Sequence, residues 1–258
     1  MFELSEDQIH RYSRHILLPE VGGVGQRKIS QARVLIIGTG GLGSPVAYYL
    51  AAAGVGTIGL VDDDVVEISN LQRQIVHWTR DIGRPKVISA QEKLQALNPD
   101  IKIVPYQTRF TADNALGMID GYDIIVDATD LFSTRYLIND ACIAGGKPFV
   151  YGGVLRFIGQ VLTVLPGTGP CFRCIFPEPP DADAVPTCGE AGVLGAIAGT
   201  IGTFQATEVL KYIIGQGQLL CGQMAIYDAL EFKLRKVAFS QNPLCPSCSE
   251  RLAGSLGE

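Results

Sequence analysis

Residues 33–44 read RVLIIGTGGLGS, an apolar run that enters a glycine-rich turn. The run reads as a buried strand. Gly38, Gly40 and Gly43 fit the spacing G-x-G-x-x-G, with Gly41 as an extra glycine. Glycines at this spacing let a backbone approach a phosphate and let the next helix pack close to the strand. The following SPVAYYLAAAG has helical spacing and stops at Gly54, and TIGLVDDD is a second strand closed by Asp62. That acid stands at the separation expected of one that bonds a ribose. A tight structural turn is the plainer reading, and the motif by itself does not separate NAD from ATP.

The same rhythm continues outward. RPKVISAQEKLQALNPD reads as a helix with Val87, Ala90, Leu94 and Leu97 on one face and a stop at Asn98-Pro99. IKIVPYQ is a third strand, DNALGMIDGY a short helix, DIIVDATD a fourth strand, TRYLINDACIAGG a helix and PFVYGG a fifth strand. Strands alternating with helices predict right-handed βαβ units and a mostly parallel sheet covered on both faces. From about 151 the rhythm changes. VLRFIGQVLTVLP and MAIYDALEFKLRKVAF read as longer antiparallel strands with a Gly-rich helix, 191–215, between them.

The expected fold is therefore α/β, Rossmann-like, a mostly parallel sheet extended by antiparallel strands. One domain spans 1–258: a helical lead-in over 1–31 with a loop at PEVGGVGQ, a nucleotide-binding half over 32–150, and a second half over 151–258. The Pro/Asp-rich piece 177–186 reads as a loop.

The stretch after the second strand bears on which nucleotide is bound. SNLQRQIVHWTRDIGRPK, residues 69–86, carries Arg73 and Lys86. Lys86 falls in the first turn of its helix, where the dipole disfavours a cation unless an anion stands nearby. Arg73, Lys86 and the glycine loop together suit a triphosphate; solvated surface charge is the alternative. Asp127 and Asp130 end the fourth strand, beyond which ligands of open parallel sheets bind. Asp130, nearer the mouth, suits Mg²⁺ with phosphates and waters as the other ligands; capping the next helix is its alternative. Hydride transfer needs no such set, whereas phosphoryl or nucleotidyl transfer does. No G-x-x-x-x-G-K-[ST] loop is present.

Composition limits the rest. The chain has 258 residues, 47% hydrophobic and 18% charged, with a net charge of −5 and no basic run, so no nucleic-acid partner is expected. The start is charged and lacks the apolar core of a signal peptide. The stretch 191–215 is interrupted by Glu208 and Lys211 and reads as a buried helix packed through small residues, not a membrane span. A cytoplasmic location is the expectation. The seven cysteines include two C-x-x-C pairs, Cys171/Cys174 and Cys245/Cys248. Four thiolates suit a tetrahedral structural Zn²⁺ that clips the chain's end onto its middle; a redox role for either pair is the rival reading. Cys142 and Cys221 have apolar neighbours and read as core. Cys188 lies just ahead of a helix, where the dipole favours thiolate.

RYSRHILLPEVGGVGQRKI, VLIIGTGGLGS, GVGTIGLVDDDVVEISNLQRQIVH, GRPK and DATD, in this order, resemble the MoeB/ThiF/HesA family, bacterial relatives of ubiquitin-activating enzymes. The likeness runs from about residue 10 to 248. It implies a homodimeric, ATP-dependent adenylyltransferase acting on the C-terminal glycine of a small ubiquitin-like sulfur-carrier protein ending in Gly-Gly. It places Gly41 in the ATP loop and Asp62 at the ribose. Within Ser69, Asn70, Leu71, Gln72 and Arg73, it brings Asn70 and Arg73 to the nucleotide. Lys86 meets the phosphates and Asp130 the magnesium, with Leu131 beside it. The resemblance further implies that Arg14 reaches into the partner protomer's site. The resemblance also supports zinc on the four cysteines, and in some members the Cys188 position attacks the adenylate or carries sulfur; a passive loop cysteine is the alternative.

One departure stands out: the family carries Asn after the Asp130 position, and this chain has Leu131. A non-catalytic partner of a ubiquitin-like protein, or an NAD-dependent oxidoreductase, remains as an alternative. Sulfur is expected from a separate sulfurtransferase or cysteine desulfurase, for molybdopterin, thiamin, cysteine or tRNA thiolation. The carrier is expected on the antiparallel strands after 151, around Phe157, and on the loop near 177–190.

Overall fold

The apolar strand over 33–37 lies in the middle of one sheet. The computed structural model describes residues 3–179 and 191–249. In chain order they form α1 (Glu6–Arg11), α2 (Ser13–Ile16), α3 (Gly22–Gln31), β1 (Arg33–Ile37), α4 (Gly43–Ala53), β2 (Thr57–Val61), α5 (Lys86–Leu97), β3 (Lys102–Tyr106), α6 (Ala112–Asp120), β4 (Ile124–Asp127), α7 (Phe132–Gly145), β5 (Phe149–Leu155), β6 (Ile158–Val164), α8 (Phe172–Ile175), α9 (Gly195–Ile214), β7 (Gln223–Asp228) and β8 (Lys233–Ala238). The strand order is β3-β2-β1-β4-β5-β6-β7-β8. The first five strands of this row are parallel, and β6, β7 and β8 join antiparallel. From β1 the chain winds outward to β2 and β3, then returns to the other side of β1 for β4. Connections therefore diverge at the carboxyl ends of β1 and β4, where Ile37 pairs with Asp127.

Both faces of the parallel half are covered, so β1 is apolar almost throughout. Val34 and Ile36 face one core with α4, α5 and α9, and Leu35 and Ile37 face the other with α6 and α7. The small residues of α9 allow close packing, as the sequence predicts. A Cβ on Gly202 would lie 2.4 Å from Pro45 Cγ of α4. Among the described residues, no helix is long and apolar enough to cross a membrane. The buried Glu208 instead ties α9 to the sheet, accepting bonds from Thr163 Oγ1 at 2.6 Å and Leu220 N at 2.7 Å.

Four local expectations need correction. The lead-in loop is shorter than its glycines predict, because α3 already begins at Gly22. Packing overrides glycine's weak helix propensity here: Gln26 is fully buried and donates to Ala53 O at 2.9 Å. On α5, Val87, Ala90 and Leu94 are buried but Leu97 is 41% exposed. The group buried at that end is Asn98, which donates to Tyr12 Oη and Ala51 O. The two long antiparallel stretches are each split into hairpin arms by a turn, with Arg156 and Phe232 at φ 54° and 50°. Cys142 is buried as expected, but Cys221 is only half-buried.

Candidate nucleotide site

An open cleft lies where the connections diverge, between the turn after β1 and the segment after β4. Its walls include Gly38, Gly40, Gly41, Asp62, Arg73, Lys86, Asp130 and Leu131. Eight residues singled out in the sequence thus meet in one place. Gly43 stands behind them: a Cβ there would lie 2.0 Å from Gly38 O, so only glycine lets α4 start this close under the turn. Asp62 fixes the turn from the side. Its Oδ2 accepts from Thr39 N at 2.8 Å and Thr39 Oγ1 at 2.9 Å.

The cations are positioned by neighbours. Lys86, the first residue of α5, is buried, and its Nζ lies 2.8 Å from Asp64 Oδ2. The anion that a lysine at a helix N-terminus requires is thus partly supplied by the chain itself. Arg73 Nη1 donates to Ser69 O at 3.0 Å. Arg109, which the sequence reading missed, lines the cleft and pairs with Asp63 at 3.1 Å. Of the three consecutive acids, Asp62 is thus bonded to Thr39, Asp63 to Arg109 and Asp64 to Lys86. Asp130 differs: its carboxylate has no hydrogen bond or ion pair among the described residues. It is not the helix cap either, since the cap of α7 is Leu131, with no side-chain bond. Asp127 is buried beneath, where burial pushes its carboxyl up; Thr129 N and Oγ1 donate to it at 3.1 and 2.9 Å.

Other expected residues lie outside the cleft walls. Ser69, Asn70 and Leu71, just ahead of Arg73, form a supporting turn rather than a lining.

 Gln72 completes that turn, and its carbonyl lies against the start of α9, where a Cβ on Gly195 would meet Gln72 O at 2.2 Å. Asn70 is buried and its Oδ1 accepts from Glu67 N at 3.1 Å, so it orders the turn that carries Arg73. Arg14 is exposed on α2, at the opposite end of the strands. Its neighbours Tyr12 and His15 pack near Gly54 and on Gln26, by the C-terminus of α4. The eleven residues of α4 separate that end from the glycine turn, about 16 Å. Cys188 lies outside the described residues, as does most of the expected loop over 177–190.

The four cysteines converge away from the cleft. Cys171 caps α8, Cys174 lies within it, and Cys245 and Cys248 follow β8. Sulfur separations are 3.9 Å for Cys171–Cys174, 3.5 Å for Cys171–Cys245 and 3.4 Å for Cys174–Cys248. A tetrahedron of thiolates around zinc has edges of about 3.8 Å. Asp140 of α7 holds both parts of the cluster in place, accepting from Arg173 at 2.7 and 2.8 Å and from Ser247 Oγ at 2.6 Å. The donor set and its spacing are compatible with zinc.

The ThiF family model matches residues 12–247, a span that includes the glycine turn, Lys86, Asp130 and three of the four clustered cysteines, Cys171, Cys174 and Cys245. The chain belongs to the ThiF family. Among similar ThiF relatives, a sulfur carrier protein adenylyltransferase of Thermus thermophilus is 47% identical over 251 residues, covering 95% of this chain and 93% of that protein. The SAMP-activating enzyme E1 of Haloferax volcanii is 47% identical over 247 residues, covering 96% of this chain and 91% of that protein. An adenylyltransferase and sulfurtransferase MOCS3 of Sus scrofa is also 47% identical, over 96% of this chain but 55% of that protein. A crystal structure of E. coli MccB with MccA-N7isoASN superposes with a TM-score of 0.82 at 23% identity, over 92% of this chain and 74% of that one, a likeness of fold alone.

Proposed function

We propose that this chain is an ATP-dependent adenylyltransferase, a nucleotidyltransferase that activates the C-terminal glycine carboxylate of a small ubiquitin-like sulfur-carrier protein. The observation that carries the reading is the meeting of Gly41, Asp62, Arg73, Lys86 and Asp130 in one cleft of a ThiF chain. The relatives' names support the same activity.

In this reading the glycine turn and Asp62 seat the nucleoside end, while Arg73 and Lys86 face the phosphates. A carboxylate oxygen of the carrier attacks the α-phosphorus of ATP. The bond to the bridging oxygen breaks, and pyrophosphate leaves with its electron pair. Charge grows on the departing oxygens, and Lys86 and Arg73 stabilise it where it develops. Carboxylates are weak nucleophiles, so holding the tail in line matters as much as charge. Asp130, whose carboxylate is uncommitted, would hold Mg²⁺, which neutralises and orients the phosphate chain when bound. Arg14 cannot serve its own cleft from α2, so in this reading a second copy supplies it and the enzyme is a homodimer.

The four cysteines would hold a structural Zn²⁺. The carrier would dock on the antiparallel half around Phe157, within one adenylation domain spanning the chain. A separate sulfurtransferase or cysteine desulfurase would then deliver sulfur to the adenylate, in the cytoplasm, with Cys188 available as an attacking thiol.

The test is ATP–pyrophosphate exchange with a panel of carriers ending in Gly-Gly. Carrier-dependent exchange with at least one is expected. Binding of ATP without exchange across the panel would instead favour a non-catalytic partner.

A further inference from the structure

A buried string of polar groups runs beneath the glycine turn and was not singled out by the sequence. His77 is 4% exposed; its Nε2 lies 3.0 Å from Thr39 O and its Nδ1 2.9 Å from Ser89 Oγ. Lys93 Nζ donates to Ser89 Oγ at 3.0 Å and also to Asp81, which Arg84 Nη1 reaches at 2.7 Å. The partners assign the protons. A carbonyl only accepts, so Nε2 carries hydrogen; an ammonium only donates, so the Ser89 oxygen accepts from Lys93 and its own hydrogen is free for Nδ1. Burial, with the charges of Lys86 and Lys93, pushes the imidazole's pKa down and favours this neutral form over the opposing pull of Thr39 O and Asp62.

Thr39 is thus gripped twice, by Asp62 through its N–H and by His77 through its C=O. In a planar trans peptide the N–H of the next residue points opposite to the C=O. Fixing Thr39 O onto His77 turns Gly40 N–H the other way, and Gly40 is on the cleft wall. Gly40 O is occupied by Ser44 N and Oγ at 2.9 and 2.7 Å, while Gly40 N–H has no partner among the described residues.

We propose that His77 is a positioning residue for the nucleotide's phosphate chain, acting through the Thr39–Gly40 peptide to present the Gly40 amide as a donor. This rests on the nucleotide reading above. It assigns to a buried histidine a part in recognition that a core residue would not have.

The experiment compares ATP and adenosine binding by calorimetry in the unaltered chain, His77→Leu, His77→Gln and Ser89→Ala. Loss of one charged hydrogen bond predicts ATP affinity about tenfold or more weaker in His77→Leu, with adenosine affinity unchanged. His77→Gln, which keeps an N–H donor, restores most of the ATP affinity. Ser89→Ala, which frees the ring to rotate, gives a smaller loss confined to ATP and serves if His77→Leu does not fold. Parallel weakening of ATP and adenosine in these variants, or no change in ATP, overturns the proposal and leaves the nucleotide reading intact. Absence of ATP binding by the unaltered chain overturns both.

Discussion

The Lys86 ammonium is 2.8 Å from the Asp64 carboxylate, and the Lys86 backbone N–H also donates to Asp64 O, at 3.0 Å. The lysine side chain is 7% exposed and the acid 66%. One acid at the rim therefore steers a buried cation toward the cleft. Lys86→Met keeps the packing stem and removes the charge. Pyrophosphate exchange is expected to fall by about a hundredfold or more, with little loss of melting temperature. Exchange kinetics and a thermal melt on the same preparation check this.

Asp81 ties stability to pH. Burial pushes its carboxyl up, but bonds from Lys93 and Trp78 N outweigh that and hold it down at about 2. A depressed acid stabilises the fold above its unfolded value and loses that contribution as pH falls through the folded one. Asp81→Asn is expected to be less stable than the unaltered chain at pH 7. The gap in urea unfolding free energy should narrow by about 2 kcal/mol between pH 5 and pH 2. A gap independent of pH over that window would mean that the ionised form carries no advantage.

Leu131 leaves α7 without a side-chain cap. Leu131→Asn supplies an acceptor for the first-turn amides and is expected to stabilise the chain by about 1 kcal/mol. The urea midpoint reads this, at an unchanged denaturant slope. The same variant, assayed for exchange, shows whether the replaced residue matters to turnover.

Cys171 and Cys245, 74 positions apart, lie with their sulfurs at 3.5 Å. With zinc on the four cysteines, as proposed above, metal analysis is expected to find about one ion per chain, and Cys245→Ser to lower both that content and the melting temperature. Protease cuts after Ala238 should appear sooner than in the unaltered chain.

Much of the site was legible because its parts follow regular elements. The strand over 33–37, the glycine turn and the helix to Gly54 announce themselves through period and composition, and Asp62 and Asp130 fall just beyond strand ends. The segment 65–85 is irregular, so periodicity says nothing about it. There the motif pointed at 69–73 as a block, yet only Arg73 reaches the cleft while Asn70 braces the turn. Arg109 is a lone arginine in a loop; its role at the wall depends on β3 lying beside β2, which brings it to Asp63. His77 gives no signal in a linear reading because its partners are 38 residues behind and 12 ahead. The hairpin turns were missed because Arg156 and Phe232 occupy backbone conformations usually marked by glycine or asparagine.

The position of α2, a helix length from the glycine turn, has a consequence for how such an enzyme would behave in the cell. In the homodimer proposed above, an arginine at that end completes a neighbour's machinery, so specific activity would drop on dilution even with every molecule folded. Expression level would then set the quality of each catalyst as well as the number of them.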